Sequence, residues 1–475
     1  MEPLPPPRLG RFALVVLSAT ILVSVMSASM TTVALPDLQE HFRVGDDTLT
    51  WVVTAYIITF ATGTVVYGRL ADIVGTKPMY VFGLSLFTVA SLGVALAPSY
   101  WLLVAARAAQ GFGGTAVPSL SLATIVKTTS ERERGRAMGT TIMAVGVGFG
   151  LGPLMGGVLT ELGSWRAPFF ATAISAAALL PLALRAVPGV RGDSSQRFDA
   201  IGAGLLALTV TGAVLALNRL PRDLVDPVGL AGLGSTLVAG AAMVARIVRS
   251  PDPFLSPRVV RNVRFMRMAG VGYATQGLHF GTVVLIPLLL YRYHETSIIQ
   301  VGLHLLPGAL AIAVFGMAGG VLSHTVGNRP LIIAGTVTMV VGVGYFHLAG
   351  FDGPAWGVSL IYLVIASGYG MVNASVINAA TGELDFDLAG LGVGVFNLVF
   401  FLGGATTVAL SGSILRSREG ASSAINPLVG GGATEFSDAL IPVLVVACLG
   451  LLLGLGTPRS KDAEPNKEPV IAPPV

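Results

Sequence analysis

Apolar runs of roughly 20 residues, the length that crosses a bilayer as a helix, recur along almost the whole chain between short polar turns. There are fourteen. The first six cover about 12–35, 50–68, 78–97, 101–126, 137–160 and 167–187, and two more follow at 200–218 and 228–248. The last six fall at 266–290, 299–322, 331–350, 356–380, 389–415 and 438–456. So many runs of this length exceed what a soluble core needs, and the pattern predicts an all-α membrane protein. The Pro-rich, charged stretch over 457–475 reads as a disordered tail.

Composition agrees with the pattern. Hydrophobic residues make up 53% of the 475 and charged residues 11%, against ~25% charged in soluble domains. The charge distribution then sets an orientation, because segments on the cytoplasmic side retain Lys and Arg. With the N-terminus inside, 21 of the 29 basic residues fall on the cytoplasmic side and seven outside, which leaves Arg107 alone deep within a span. The net charge of +4 therefore reports topology and gives no reason to expect nucleic acid. Both termini are expected to be cytoplasmic, in a multi-pass protein of the cytoplasmic membrane. The first run carries Arg8 and Arg11 before it but reaches Leu35-Pro36-Asp37 without a small-residue cleavage site, so it reads as a retained helix. Cys448 is the only cysteine and forms no internal disulfide.

One segment stands apart. Residues 139–157 read GTTIMAVGVGFGLGPLMGG, and Gly148, Gly152 and Gly156 recur every four residues, so a helix here carries a stripe without side chains. Gly139 and Gly157 flank that stripe, and Pro153 removes one helical hydrogen bond and bends the helix. A smooth, bent membrane helix suits a moving interface.

A second pattern is a repeat. Gly68-Arg69-Leu70-Ala71-Asp72-Ile73-Val74-Gly75-Thr76-Lys77-Pro78 returns 252 residues later as Gly320 to Pro330, with His324 where Asp72 stands. Each copy lies between the second and third helices of a six-helix set, as expected for two related halves. The expected organisation is an N-terminal half at 12–187, a two-helix insertion and linker at 188–264, a C-terminal half at 265–456 and the tail at 457–475.

These loops and their spacing resemble the major facilitator superfamily, and the resemblance covers about 12–456. It implies two six-helix bundles, here with two inserted helices, and a latch in which Asp72 meets basic residues at neighbouring helix ends, with Gly68, Arg69, Gly75 and Lys77 completing the loop. The 139–157 segment resembles the fifth-helix motif of the superfamily's exporters, carried here by Gly139, Gly148, Gly152, Pro153, Gly156 and Gly157, and so implies export. Fourteen spans and Phe198-Asp199-Ala200-Ile201-Gly202 are most similar to the fourteen-helix drug:proton antiporters. Asp252-Pro253-Phe254 and the Asn397 region resemble the tetracycline exporters of Gram-positive bacteria. Trp165-Arg166 resembles a feature that follows the fifth helix.

The resemblance also implies that Arg107 and Gln110, in an R-x-x-Q-G pattern, face a cavity and serve proton transfer. A charge near the bilayer centre costs about 2.5 kcal/mol or more, so something must compensate Arg107, unless its side chain snorkels to the outer interface. Both familiar intramembrane carboxylates are missing: Ser27 stands where relatives carry an Asp, and Gly404 where tetracycline exporters carry a Glu. The helices that line the cavity in this fold offer neutral groups instead: Ser27, Ser29, Thr31 and Thr32; Gln110; Tyr273 and Gln276; Tyr369, Asn373 and Asn378. Such a lining suits a neutral, zwitterionic or anionic substrate. His279 shares a helix face with Gln276 and titrates near neutrality when unperturbed, so it is a proton-carrier candidate as well as a candidate structural histidine. Asp37 is a second proton candidate, with His304 and Glu161 behind it. Arg258, Arg261, Arg264 and Arg267 recur every three residues and read as an interfacial cytoplasmic helix facing anionic lipid, or as plain topological anchoring.

The expected function is a proton-coupled efflux antiporter that acts as a monomer and moves a drug-like or amphipathic small molecule, such as tetracycline or another antibiotic, by alternating access. The alternative is a gradient-independent facilitator, or an exporter of an endogenous metabolite or lipid-like compound. Small-molecule substrate, proton and membrane lipid are the expected partners. No enzyme, cofactor or metal site is expected, since the chain has no phosphate-binding Gly loop with Lys-Ser/Thr, no Gly-x-Ser-x-Gly elbow and no His or Cys pairs at ligand spacing.

Overall fold

The computed structural model describes residues 9–193, 198–220, 224–250, 253–296, 298–349, 353–385, 388–418, 420, 424–426 and 434–457. Asp252 and the expected tail beyond Thr457 lie outside those residues, as do the side chains of Thr32 and His324.

Fourteen long helices run through the described residues, without a strand: α1 (Arg11–Val33), α2 (Trp51–Val74), α3 (Thr76–Ala95), α4 (Tyr100–Thr128), α5 (Glu131–Leu162), α6 (Ala167–Ala186), α7 (Ala200–Arg219), α8 (Pro227–Arg249), α9 (Val263–Arg292), α10 (Ile298–Val326), α11 (Asn328–Ala349), α12 (Ala355–Gly382), α13 (Ala389–Ser417) and α14 (Ile441–Leu455), the last led in by Thr434–Ala439. Thirteen stretches are long and apolar enough to cross a membrane. The exception is α4, whose Arg107, Gln110, glycines and hydroxyls dilute its apolar character. It is long enough to span, and among residues 110–128 only Phe112 and Pro118 are not fully buried. Its polar groups face protein where a lipid-facing helix would present apolar ones.

Packing divides the helices into two bundles. In the first, α1 lies on α5 and α6, α4 on α2 and α3, and α3 on α6. In the second, α9 lies on α12, α13 and α14, α10 on α12, and α11 on α12 and α14. The bundles meet through α2 against α13 and α5 against α10, two contacts that the 252-residue repeat exchanges. Helices α7 and α8 pair with each other, and α7 rests on α2 and α13. Asp199 joins this pair to the chain that follows. It caps α7 by accepting from Gly202 N–H at 2.9 Å, accepts from Phe254 N–H at 3.1 Å, and holds the Arg246 guanidinium at 2.7–2.9 Å. Hydrogen bonds from that guanidinium hold the Asp199 carboxyl below the usual carboxylate range, with the two backbone N–H groups adding to the effect.

The arginine run is not one continuous helix. Pro257–Val260 forms a short turn of helix, Arg261 ends it, and Asn262 starts α9 by accepting from Phe265 N–H at 3.0 Å. Its side-chain amide also donates to Glu383 O, and Arg264 reaches the Glu383 carboxylate at 3.9 Å. Arg258, Arg261 and Arg264 are exposed.

Candidate functional site

Two buried networks, each built on a glutamine, lie in the two bundles. In the first, the Arg107 guanidinium donates from Nη1 to Gln110 Oε1 at 2.5 Å and from Nε to the Val52 carbonyl at 3.2 Å. Its Cζ lies 4.3 Å from the Tyr56 ring centre and 5.8 Å from that of Phe169. Gln110 Nε2 donates onward to Ser91 Oγ at 2.7 Å and Ser27 Oγ at 3.3 Å. Arg107 is 1% exposed and Gln110 0%, so Arg107 does not snorkel to an interface. Carbonyl dipoles and an aromatic face stabilise the cation where an ion pair would be usual.

In the second network, Tyr369 Oη donates to Gln276 Oε1 at 2.8 Å. Tyr369 also stacks on His279, with ring centres 4.0 Å apart and planes 18° from parallel. Tyr362 Oη lies 3.4 Å from His279 Nε2, while His279 Nδ1 is buried without a hydrogen-bond partner among the described residues. From the other bundle, Phe149 brings its ring to 6.1 Å from His279 and 5.8 Å from Phe280. His279 therefore sits where the halves meet. No carboxylate bonds to any member of either network among the described residues.

The other expected lining residues are spread more widely. Tyr273 Oη bonds Thr406 Oγ1 at 2.6 Å, joining α9 to α13, and Asn378 donates to Asn328 Oδ1 at the start of α11. The Thr31 hydroxyl donates to the Ser27 carbonyl on its own helix, and Ser29 reaches both its own helix and Gly148 O. Asn373 is buried on α12. Asp37 is exposed in the first turn of Leu35–Phe42, and Glu161 is exposed near the end of α5. His304 bonds Ser359 at 2.7 Å, joining α10 to α12. Gly404 packs under Phe280, whose ring carbon would lie 2.7 Å from a Cβ there, so a carboxylate side chain at this position needs a different neighbour.

The glycine-rich helix has two faces with different partners. A Cβ at Gly148 would come within 3.0 Å of Val25, and one at Gly156 within 3.0 Å of Met30, both on α1; Gly152 presses on Ser29 of the same helix. The four-residue stripe is thus committed inside the first bundle. The seam between bundles uses other positions: Gly139 against the Gly316 and Met317 carbonyls at 3.0 Å, Gly146 against Ala313 N at 2.8 Å, and Gly150 against Ala309 at 2.5 Å, all on α10. Gly157 has ordinary contact with Val33, and α5 continues through Pro153.

The signature loop forms a third cluster. Asp72 accepts from Lys127 Nζ at 2.6 Å and from Leu391 N–H at 2.9 Å, the latter in the first turn of α13 in the other bundle. A carboxylate at a helix N-terminus faces free N–H groups and the positive end of the helix dipole. Gly68 lets α13 approach, since a Cβ there would lie 2.5 Å from Gly390 O, and Gly75 turns the chain from α2 into α3 at φ +111°. Arg69 and Lys127 are buried. The lysine that meets Asp72 is Lys127; Lys77 is half-buried and elsewhere.

Sequence reasoning missed Tyr56, Ser91, Phe149 and Tyr362, along with the cross-bundle bond from Asn397 Nδ2 to Ser119 Oγ at 3.3 Å. Tyr362 was detectable, because it precedes Tyr369 by seven residues and so shares its helix face. Tyr56 and Ser91 come from α2 and α3, which the resemblance did not nominate as cavity helices, and Phe149 lies in the glycine-rich segment, where only the glycines and the proline carried a signal.

A multi-pass helical membrane protein of two bundles, each holding a buried polar network, has the build of a transporter. The sequence profile described as Major Facilitator Superfamily matches residues 17–408, and the chain belongs to that family. It is 28% identical over 413 residues to "Multidrug resistance protein Stp" of Mycobacterium tuberculosis (strain CDC 1551 / Oshkosh), covering 86% of this chain and 76% of that one. It is also 28% identical over 417 residues to "Methylenomycin A resistance protein" of Bacillus subtilis (strain 168), covering 86% and 88%. Among solved structures, the human organic anion transporter MFSD10 (TETRAN) superposes with a TM-score of 0.67 at 17% identity, covering 94% of this chain and 98% of that one. The proton:xylose symporter XylE superposes with a TM-score of 0.65 at 14% identity, covering 94% and 95%. The fold is thus that of the major facilitators, and the protein is a transporter, not an enzyme.

Proposed function

We propose that this chain is a proton-coupled exporter of a drug-like small molecule, lying in the cytoplasmic membrane with both termini inside and working by alternating access. One observation carries the mechanism: the Asp72 carboxylate bonds the first turn of α13 across the seam while glycines bring the backbones together, Gly68 on Gly390 and Gly139 on Gly316. A bond to a helix N-terminus is lost when that helix moves, so this corner acts as a latch that keeps the cytoplasmic end shut. Opening separates α2 from α13 and α5 from α10, and it uncovers the Gln110 and Gln276 networks to substrate and water.

The coupling role falls to His279. Its unpartnered Nδ1 accepts a proton once water reaches it, and Tyr369 and Gln276 then redistribute their hydrogen bond. Arg107 fixes positive charge in the first bundle, which disfavours a permanent cation and favours a neutral, zwitterionic or anionic compound. The names of the relatives point to multidrug and methylenomycin resistance, so methylenomycin is the first compound to try, and the resemblance of the Asn397 region makes tetracycline the second.

A second reading, export without a proton, is favoured because no carboxylate among the described residues bonds to either network. One assay separates the two. In proteoliposomes with an imposed pH gradient, coupled export speeds up with the gradient and His279→Ala abolishes that response; flux that ignores the gradient in the unmodified protein establishes the second reading.

A further inference from the structure

Beside the latch, a groove of about 460 Å3 runs between the start of α3, the end of α6 and the segment that leaves α6. Val74, Val81, Leu184 and Val190 give it apolar walls, and Lys77 and Arg191 contribute the charge. Val74 and Leu184 are each about half exposed, at 49% and 48%, at the ends of two membrane-length helices. Neither the Lys77 nor the Arg191 side chain makes a hydrogen bond or ion pair among the described residues. An apolar trough with two free cations at a helix end matches an amphiphile with a negative head, and it matches a free anion poorly, because a free anion gains nothing from the walls.

The groove is tied to the latch by backbone. Residues 187–193 cross the signature loop as a strap: Thr76 N–H donates to Val190 O at 3.1 Å, Val190 N–H donates to Thr76 Oγ1 at 3.4 Å, and Asp193 N–H donates to Asp72 O at 2.8 Å. Gly75 and Gly192 permit the crossing, since a Cβ at Gly75 would lie 2.7 Å from Val190 O and one at Gly192 would lie 2.7 Å from Gly75 N. The stem of Lys77 runs along Gly189 of the strap at 3.8 Å from where a Cβ would stand. Whatever bridges Lys77 and Arg191 therefore holds the strap against the loop whose carboxylate closes the seam.

We infer that this groove binds one anionic phospholipid, its phosphate between Lys77 and Arg191 and an acyl chain along Val81 and Leu184, and that the bound lipid steadies the strap and thereby the closed state of the Asp72 corner. The lipid site stands on the groove alone, and its effect on transport rests on the latch reading above. The same geometry assigns Lys77 a role apart from Asp72.

The test uses the full-length protein. In native mass spectrometry from detergent, phosphatidylglycerol is retained in preference to phosphatidylcholine, each of Lys77→Gln and Arg191→Gln weakens retention roughly fivefold, and the double variant abolishes it. Leu184→Trp fills the trough without changing charge and lowers retention too. Unchanged retention in the double variant, with monodisperse protein, removes the site; displacement by inorganic phosphate makes it a free-anion site and overturns the lipid assignment. In proteoliposomes, phosphatidylglycerol content alters the export rate of the unmodified protein and leaves the double variant unaffected. A double variant that still responds ends the link to the latch. If the protein moves no substrate in any lipid while retention still follows Lys77 and Arg191, the transport proposal fails and the lipid site survives.

Discussion

The two glutamine networks share a motif and differ in chemistry. In each, a titratable or charged residue lies three positions from a glutamine on one helix face, Arg107 with Gln110 and Gln276 with His279, at the core of its bundle. The first is cationic, and its glutamine is engaged on both sides, accepting from Arg107 and donating to Ser91 and Ser27. The second holds a single strong bond, from Tyr369 to Gln276, and leaves His279 Nδ1 without a partner. A saturated network with fixed charge is suited to holding an electrostatic environment constant. An unsaturated one around an imidazole is suited to changing state, because protonation supplies a donor with no existing bond to break. The fixed charge of Arg107 in one half has an imidazole as its counterpart in the other, an asymmetry that the repeat does not contain.

Substitutions sharpen this contrast, the largest effect first. Arg107→Ala removes the cation and leaves the buried Gln110 Oε1 unpaired, at a cost of about 3 kcal/mol or more in stability together with loss of export; a thermal-shift assay in detergent and a resistance assay in a pump-deficient host read the two, and a stable, active variant would mean that the charge is not needed. Gln110→Ala should cost about 2 kcal/mol against about 1 kcal/mol for Gln276→Ala, because the first glutamine serves three side chains and the second one. Equal costs would erase the saturation argument.

Asp199→Ala, outside both networks, loses a helix cap and a charged pair and should cost about 1–2 kcal/mol without altering proton coupling. Its folded carboxyl is held below the ordinary value by Arg246, so its contribution is complete above about pH 4 and fades as pH falls through the lower folded value. Urea denaturation of the unmodified protein and the variant at neutral and acidic pH should converge only in acid. His279→Phe keeps the stack on Tyr369 and should change stability by less than about 1 kcal/mol, yet flatten the pH dependence of export; a preserved pH profile would move the proton elsewhere.

Much of this was legible in advance because bilayer insertion is a length and composition problem. The fourteen spans, the repeat, the glycine stripe and the buried Arg107 all follow from local pattern, and each has its counterpart in the fold. Even α4, the most polar of them, reads as a span at 101–126 and forms a long helix. What local pattern misjudged were the partners. The stripe at Gly148, Gly152 and Gly156 looked like the moving surface, whereas it packs on α1 and the seam uses Gly139, Gly146 and Gly150, rotated around the same helix. The arginine run looked like one helix, and Asn262 breaks it by capping α9.

The sequence by itself determined that this is a helical membrane protein with an internal repeat and a glycine-striped fifth helix, because hydrophobic length, charge bias and glycine spacing are properties of single segments. Only the tertiary structure decided that Lys127 and Leu391 meet Asp72, that Phe149 reaches His279 and that Lys77 shares a groove with Arg191. Those pairings span 55 to 319 positions of chain only because helices pack side by side, and which faces meet depends on the rotation of each helix about its axis, which no one segment encodes.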